Sequence, residues 1–341
     1  MSTPYFRRYA WFFLAYLIAV ILFGAWVRIS GSGDGCGSHW PTCHGEVVPV
    51  AAEGKTLIEY THRVTSGLCG IFGLALVFWA RRLHPALFRA SLVTMFFLLV
   101  EGFIGAVLVK KELVAGDASV SRAIVVSLHL ANTLLLTASA ATVVWWAEPR
   151  RKHAAGIGAR GLMAAALFTL VLTNMTGAVT ALGDTLFPTR PAIDGGLLAR
   201  ISDDLSPSHH FLVRLRIVHP VIAVVSAAFL AAVLLGLRKT GRGAGTVLEQ
   251  LIPIGLLAVG AQVGLGVLNV ALAAPGWMQI VHLLAAQVVW MAAWFTMLSL
   301  YPNPGAANPP VKDQDSGNSK LSPVSAAHCF SLPMKRFRSA V

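Results

Sequence analysis

Charge is what this chain has least of. Only 12% of its 341 residues are Asp, Glu, Lys or Arg, while 56% are hydrophobic and the mean hydropathy is +0.68; a soluble domain carries about 25% charged residues. Apolar runs near 20 residues long recur between short polar loops, which excludes a water-soluble globular fold and makes the membrane span the unit to count. Acidic residues are scarcer than basic ones, 15 against 27, for a net charge of +12. That balance does not point to nucleic acid. Arg7, Arg8, Arg81, Arg82, Arg89, Arg150, Arg151, Lys152, Arg160, Arg238, Lys239 and Arg242 fall at the N-terminus and in every second loop, and the intervening loops hold Asp34, Glu46, Glu53, Glu59, Glu112, Asp117, Asp184, Asp194, Asp203 and Asp204. Lys and Arg are retained on the cytoplasmic side, so topology accounts for the basicity and the N-terminus is expected inside. Cysteine is rare as well, with four in all.

What is present is a series of eight expected helices: Tyr9 to Val27, Val64 to Ala80, Ala90 to Val109, Ala123 to Trp146, Leu162 to Leu182, Leu212 to Leu237, Leu248 to Ala273 and Gln279 to Tyr301. The first is too long for a signal-peptide core and lacks a small-residue cleavage site, so it reads as a retained span. An even count returns the C-terminus to the cytoplasm. The stretch 302–341 is rich in Pro, Asn, Ser and Gly and is expected to be disordered. The expected fold is therefore an all-α integral membrane protein, its spans in contact with lipid.

Four histidines stand near the start of spans two, four, six and eight: His62, His129, His219 and His282. The second pair repeats the first roughly 155 residues on, as in tandem copies with the same orientation. Gly24-Ala25-Trp26-Val27 is echoed by Gly177-Ala178-Val179-Thr180, and Gly105-Ala106-Val107-Leu108 by Gly266-Val267-Leu268-Asn269. The expectation is two pseudo-symmetric four-helix bundles, residues 1–150 and 151–301, with one histidine pair in each. Those four spans run in one direction, so the four imidazoles share one depth near the outer face, between facing helices.

Bis-histidine ligation of haem iron is the chemistry this pattern suits. Two facing imidazoles leave room for a flat apolar macrocycle, and neither Cys nor Met is placed as a rival axial ligand. Zinc needs four ligands converging on one point, which neither half supplies. Haem propionates need cations at the polar boundary, and Arg28, Arg63, Arg122, Arg214 and Arg216 stand at outer helix ends or beside the histidines; a guanidinium offers a carboxylate a two-pronged fork. Three residues before His62 is Glu59, and three before His219 is Arg216. Opposite charges at equivalent positions imply different duties, an acid or base in the first half and a fixed cofactor in the second. Pairing of Glu59 with His62 or Arg63 is the alternative.

Two other features bear on chemistry. The outer loop from Gly31 to Gly45 carries Cys36 and Cys43, which read as a disulfide on an oxidising side; with His39 and His44 the same stretch offers zinc ligands. Cys69 and Cys329 have no evident partner. Glu101, inside span three and opposite Gln262 in the repeat, is an ionisable group in hydrocarbon, open to proton delivery or to a hydrogen bond between helices. The remaining histidines, His39, His44, His84, His153, His209, His210 and His328, read as solvated.

With these residues in view, the chain resembles the haem A synthase family. Gly24-Ala25-Trp26-Val27-Arg28, the Gly-Ser-Gly run leading to Cys36, Trp40-Pro41 with Cys43, and Glu59-Tyr60-Thr61-His62-Arg63 follow its signature in order. The resemblance implies oxidation of a methyl group of haem O to a formyl group, giving haem A for cytochrome oxidase. It implies that His62 and His129 receive haem O, that His219 and His282 hold a haem b cofactor, that Glu59 is the carboxylate needed for activity, and that Cys36 and Cys43 are the family's loop pair. It further implies a multi-pass protein of the cytoplasmic membrane, working beside haem O synthase and cytochrome oxidase assembly, with homo-oligomers permitted. His219 is followed by Pro220 where the family often has Arg, and the loop from Asp184 to Phe211 lacks a second cysteine pair. A dihaem electron-transfer subunit and a haem transporter or chaperone are the rival classes. The first would place ligands at both membrane faces, and the second has no need of Glu59.

Overall fold

The computed structural model describes residues 3–50, 53–148, 157–188, 196–241 and 247–301. Among these the chain is helical and contains no named strand: α1 Pro4–Ile29, α2 Gly54–Arg81, α3 Pro85–Lys110, α4 Val120–Ala147, α5 Ile157–Leu186, α6 Gly196–Asp204, α7 Phe211–Arg214, a 3-10 turn Leu215–Ile217, α8 Val218–Gly241, α9 Leu248–Ala271 and α10 Gly276–Ser299. Eight helical stretches are long and apolar enough to cross a membrane, with α7, the 3-10 turn and α8 forming one of them. The chain is a multi-pass membrane protein. The segment 302–341, the basic stretch 150–152, Arg242 and Cys329 lie outside the described residues.

Local signals set the helix starts. Thr3 accepts a hydrogen bond from Phe6 N ahead of Pro4, and Ser119 accepts one from Arg122 N; each satisfies an amide that the first helical turn leaves open. His84, with Pro85 after it, caps α3, and His210 caps α7. These two histidines, together with His44, which lies 2.8 Å from Gly35 O, therefore have backbone partners where the sequence suggested plain solvation.

The helices pack in two rings. α1 meets α2 and α4, and α3 meets α2 and α4; in the second half α5 meets α8 and α10, and α9 meets α8 and α10. The halves join through α4 against α5 and α10, and through α1 against α10. Lipid tails give helices little hydrophobic reason to associate, so polar bonds and close packing hold such bundles. Here Trp290 Nε1 donates to Leu134 O and Trp294 Nε1 to Thr142 Oγ1, each at 2.9 Å across the join, and the Tyr9 hydroxyl reaches Phe72 O at 2.8 Å. Large apolar side chains such as Phe78, Phe96, Phe103, Phe168 and Leu257 point outward, as lipid-facing positions require.

Two boundaries differ from the hydropathy pattern. α2 begins at Gly54, about ten residues before the apolar run, because Lys55, Glu59, His62 and Arg63 lower the local hydropathy while the outer loop satisfies the polar groups of Glu59 and Arg63. The loop after α5 contains α6, a helix too short to register as a span.

Candidate functional site

His62, His129, His219 and His282 line a single cavity of about 1560 Å³. Each sits within about two and a half turns of the start of its helical span, so the four lie at similar depth. His62 and His129 stand on α2 and α4, and His219 and His282 on α8 and α10. A pocket for one drug-sized ligand is about 300–1,000 Å³; this cavity exceeds that range, and its wall is mostly apolar.

The histidines are seated differently. A Cβ on Gly24 would lie 3.1 Å from His62 Cε1, one on Gly177 3.0 Å from His219 Cε1, and one on Gly266 3.2 Å from His282 Cε1. Three imidazoles thus rest in notches that a methyl group would fill. His129 has no such notch, since a Cβ on Gly105, the residue matching Gly266, meets nothing within 4 Å. His219 Nδ1 lies 3.1 Å from Thr173 O and 3.3 Å from Thr176 Oγ1. A bond from Nδ1 to a carbonyl fixes the tautomer and frees Nε2 to act as a ligand. His282 Nε2 is 3.2 Å from Gln262 Nε2. Buried Nδ1 atoms of His62, His129 and His282 have no hydrogen-bond partner.

Glu59, 4% exposed, lines the cavity and is held from two sides. Its Oε2 accepts from Cys36 N at 2.8 Å and its Oε1 from Arg63 at 2.6 Å; Arg63 in turn donates to His39 O and Thr42 O. Of the two partners the sequence suggested, the structure pairs Glu59 with Arg63. Cys36 and Cys43 are bonded, their Cα atoms 4.5 Å apart, and Cys69 is a buried free thiol. The loop sits so close to α2 that a Cβ on Gly35 would collide with the backbone carbonyl of Lys55, and only glycine fits there. The disulfide loop, Arg63 and Glu59 form one outer cap on the first half. Among the described residues no group of three or more His, Cys, Asp or Glu is placed to hold a metal ion.

Four of the five arginines line the cavity; Arg214 is exposed and does not. Arg122 donates to Ala115 O and Asp117 O. Arg28 leaves its own half: it donates to Ala181 O and Thr185 Oγ1 on α5 and, at 3.0 Å, to Gln279 Oε1 on α10. Arg216, 8% exposed, pairs with Asp184 at 2.8 Å and Asp204 at 3.6 Å and donates to Gly183 O and Phe187 O. Each half of the cavity is thus served by two guanidiniums, Arg63 and Arg122 in the first, Arg28 and Arg216 in the second. Asp184 and Asp204 read from sequence as loop acids on the outer face, and Thr173, Gln279 and Asn132 carried no signal there.

These residues suit haem. Glycine notches admit imidazoles close to neighbouring helices, the wall is apolar, and guanidiniums stand at the outer boundary.

The family model described as cytochrome oxidase assembly protein, COX15-CtaA, matches residues 7–294. A Thermus thermophilus protein named protoheme IX farnesyltransferase is 46% identical over 317 residues, 88% of this chain and 49% of that protein. Proteins named heme A synthase match over a shorter stretch: that of Symbiobacterium thermophilum is 39% identical over 95 residues, 27% of this chain and 31% of its own, and that of Alkalihalophilus pseudofirmus 39% identical over 93 residues, 26% and 31%. The chain spans about half the length of the Thermus relative and under a third of these two synthases.

Proposed function

Because the chain belongs to the cytochrome oxidase assembly protein family COX15-CtaA, we propose that it is a haem A synthase, an oxidoreductase that converts a methyl group of haem O to a formyl group. The observation that carries this reading is two histidine pairs on one apolar cavity, with an acid in one half where the other has Arg216. In this reading residues 1–150 take haem O between His62 and His129, and residues 151–301 hold haem b between His219 and His282. When bound, haem iron supplies the redox chemistry. The protein's own part is to position, to exclude water and to move protons. Arg63 and Arg122 face the propionates of the first haem, and Arg28 and Arg216 those of the second. Arg214, exposed and off the cavity wall, is the weakest of the five candidates. Glu59 lies on the substrate side of the cavity within one helical turn of His62, where a carboxylate can accept or relay a proton leaving the oxidised methyl group. Its bonds to Cys36 N and Arg63 keep it in place for that role.

The proposed setting is the cytoplasmic membrane that the family resemblance implies, and the distribution of Lys and Arg supports both termini inside and the disulfide loop outside. Haem O synthase supplies the substrate and cytochrome oxidase assembly receives the product.

The Thermus relative favours a second reading, since its printed name describes farnesyl transfer to protohaem and the identity covers 88% of this chain. One experiment separates the two. Membranes containing the protein are supplied with haem O in one sample and with haem b plus farnesyl diphosphate in another, and the extracted haems are resolved by chromatography. Haem A from the first sample supports the synthase; haem O from the second, with no haem A from the first, supports the transferase. A protein that binds haem and changes neither would fit an electron-transfer subunit or a haem carrier.

A further inference from the structure

One partly buried carboxylate has no part in the chemistry above. Glu101 stands within the α3 span and lines the cavity, where an ionisable side chain is costly unless it is engaged. Its partners all come from one face of α4, at positions 129, 132 and 133. Oε2 accepts from Asn132 Nδ2 at 2.5 Å, and Oε1 accepts from the Thr133 hydroxyl. Oε1 also lies 3.5 Å from His129 Nδ1, a buried nitrogen without a hydrogen-bond partner. Asn132 is fixed by a second bond to Phe97 O at 2.9 Å, and Thr133 by one to His129 O at 2.9 Å. The carboxylate is therefore aimed at the back of the one imidazole that lacks a glycine notch.

The second half is arranged otherwise. At the matching position of α9, Gln262 carries an amide, and it meets His282 at Nε2 rather than at Nδ1. An imidazole has two distinct nitrogens, and the partner of one decides what the other can do. A carboxylate behind Nδ1 leaves the Nε2 lone pair free and strengthens it as a donor; an amide in front of Nε2 does neither.

Resting on the haem reading above, we propose that Glu101 is a positioning residue of the substrate half: it accepts Nδ1–H of His129, orients that ring with Nε2 toward the cavity, and makes His129 a stronger iron donor than His282. In the absence of a notch, the 3.5 Å approach of Oε1 to Nδ1 is the polar contact through which the ring is oriented.

The test uses full-length protein purified with its second-half haem. Haem b is titrated in as the probe for the first half, and affinity, reduction potentials and low-spin paramagnetic resonance are read for both haems. Glu101→Gln should bind the added haem roughly tenfold more weakly, with a raised potential and an altered resonance for that haem alone. Asn132→Ala keeps the carboxylate but loses one of the groups that aim it, so it should move the same quantities the same way by less. If Glu101→Gln disturbs the second-half haem as well, its fold has changed, and Asn132→Ala then decides. Wild-type affinity and potential for the added haem in whichever variant decides would overturn the assignment. Failure of the wild-type protein to take up a second haem at all would overturn the functional reading beneath it.

Discussion

The second half fastens its imidazoles and the first half fastens its acid. In the second half both histidines rest in glycine notches, His219 has a carbonyl behind Nδ1, and Arg216 is locked between Asp184 and Asp204. In the first half only His62 has a notch, His129 Nδ1 lies 3.5 Å from Glu101 Oε1, and Glu59 is fixed under the disulfide loop. A cofactor that stays bound benefits from ligands fixed in advance, because ordering side chains costs free energy at the moment of binding. A substrate that must enter and leave is served by one ligand packed in a notch and one oriented by a polar contact. The two rings share their helix order and differ in which atoms are tied down, so the proposed division of labour rests on a few polar side chains.

The strongest test of that difference removes a ligand. His219→Ala or His282→Ala should abolish the tightly held haem and its low-spin absorption, whereas His129→Ala should leave that haem intact and stop haem A formation. Full haem b content in both purified second-half variants would remove the assignment.

Next in size is the buried ion network. Arg216→Leu takes the guanidinium away from Asp184 and Asp204, and breaking a buried pair by removing one partner costs about 3–5 kcal/mol. The melting midpoint of the detergent-solubilised protein should fall accordingly, and haem b retention with it. An unchanged midpoint would mean that water reaches this network and that the second half is not fastened there.

Glu59→Gln should cost about 10²-fold in haem A formation, or about 2.7 kcal/mol at the barrier, with second-half haem content unchanged. Glutamine keeps an acceptor oxygen for only one of Cys36 N and Arg63, but Arg63 still donates to His39 O and Thr42 O and the Thr56 hydroxyl to Gly35 O, so the loop should stay docked. Wild-type turnover would reduce Glu59 to a fastening for the loop and leave the first half without its chemical distinction.

The eight spans, the four cavity-lining histidines and the oddity of Glu59 were legible in the sequence because hydropathy and repeat spacing are local or periodic signals. The start of α2 was not, since its first ten residues owe their helicity to a loop that folds back on them through Gly35, Thr56 and Arg63. Nor was the reach of Arg28 into the second half, because nothing in the run before Ser30 encodes the carbonyl of Ala181. Asp204 looked like a solvated loop acid until α6 carried it to Arg216. Glu101 was visible as an oddity, but its direction toward His129 depends on how α3 and α4 are rotated against each other.

The smallest expected effect bears most directly on how the two halves seat their imidazoles. Gly105 and Gly266 match in the repeat, and each is a helical glycine, so alanine at either position should if anything favour the helix. They differ in what a methyl group would meet: His282 Cε1 at 3.2 Å for Gly266, and nothing within 4 Å for Gly105. At that distance the imidazole must give by a few tenths of an ångström, because packed interiors have no spare room. Gly266→Ala should therefore shift the low-spin band and reduction potential of the second-half haem while leaving the amount of bound haem near normal. Gly105→Ala should change neither those properties nor turnover. Equal perturbation of the second-half haem by both alanines would mean that the effect travels through general helix packing, and equal silence would mean that the Gly266 notch does not hold His282. Either result would take away the contrast in ligand seating, leaving Glu59 and Arg216 as the difference between the halves.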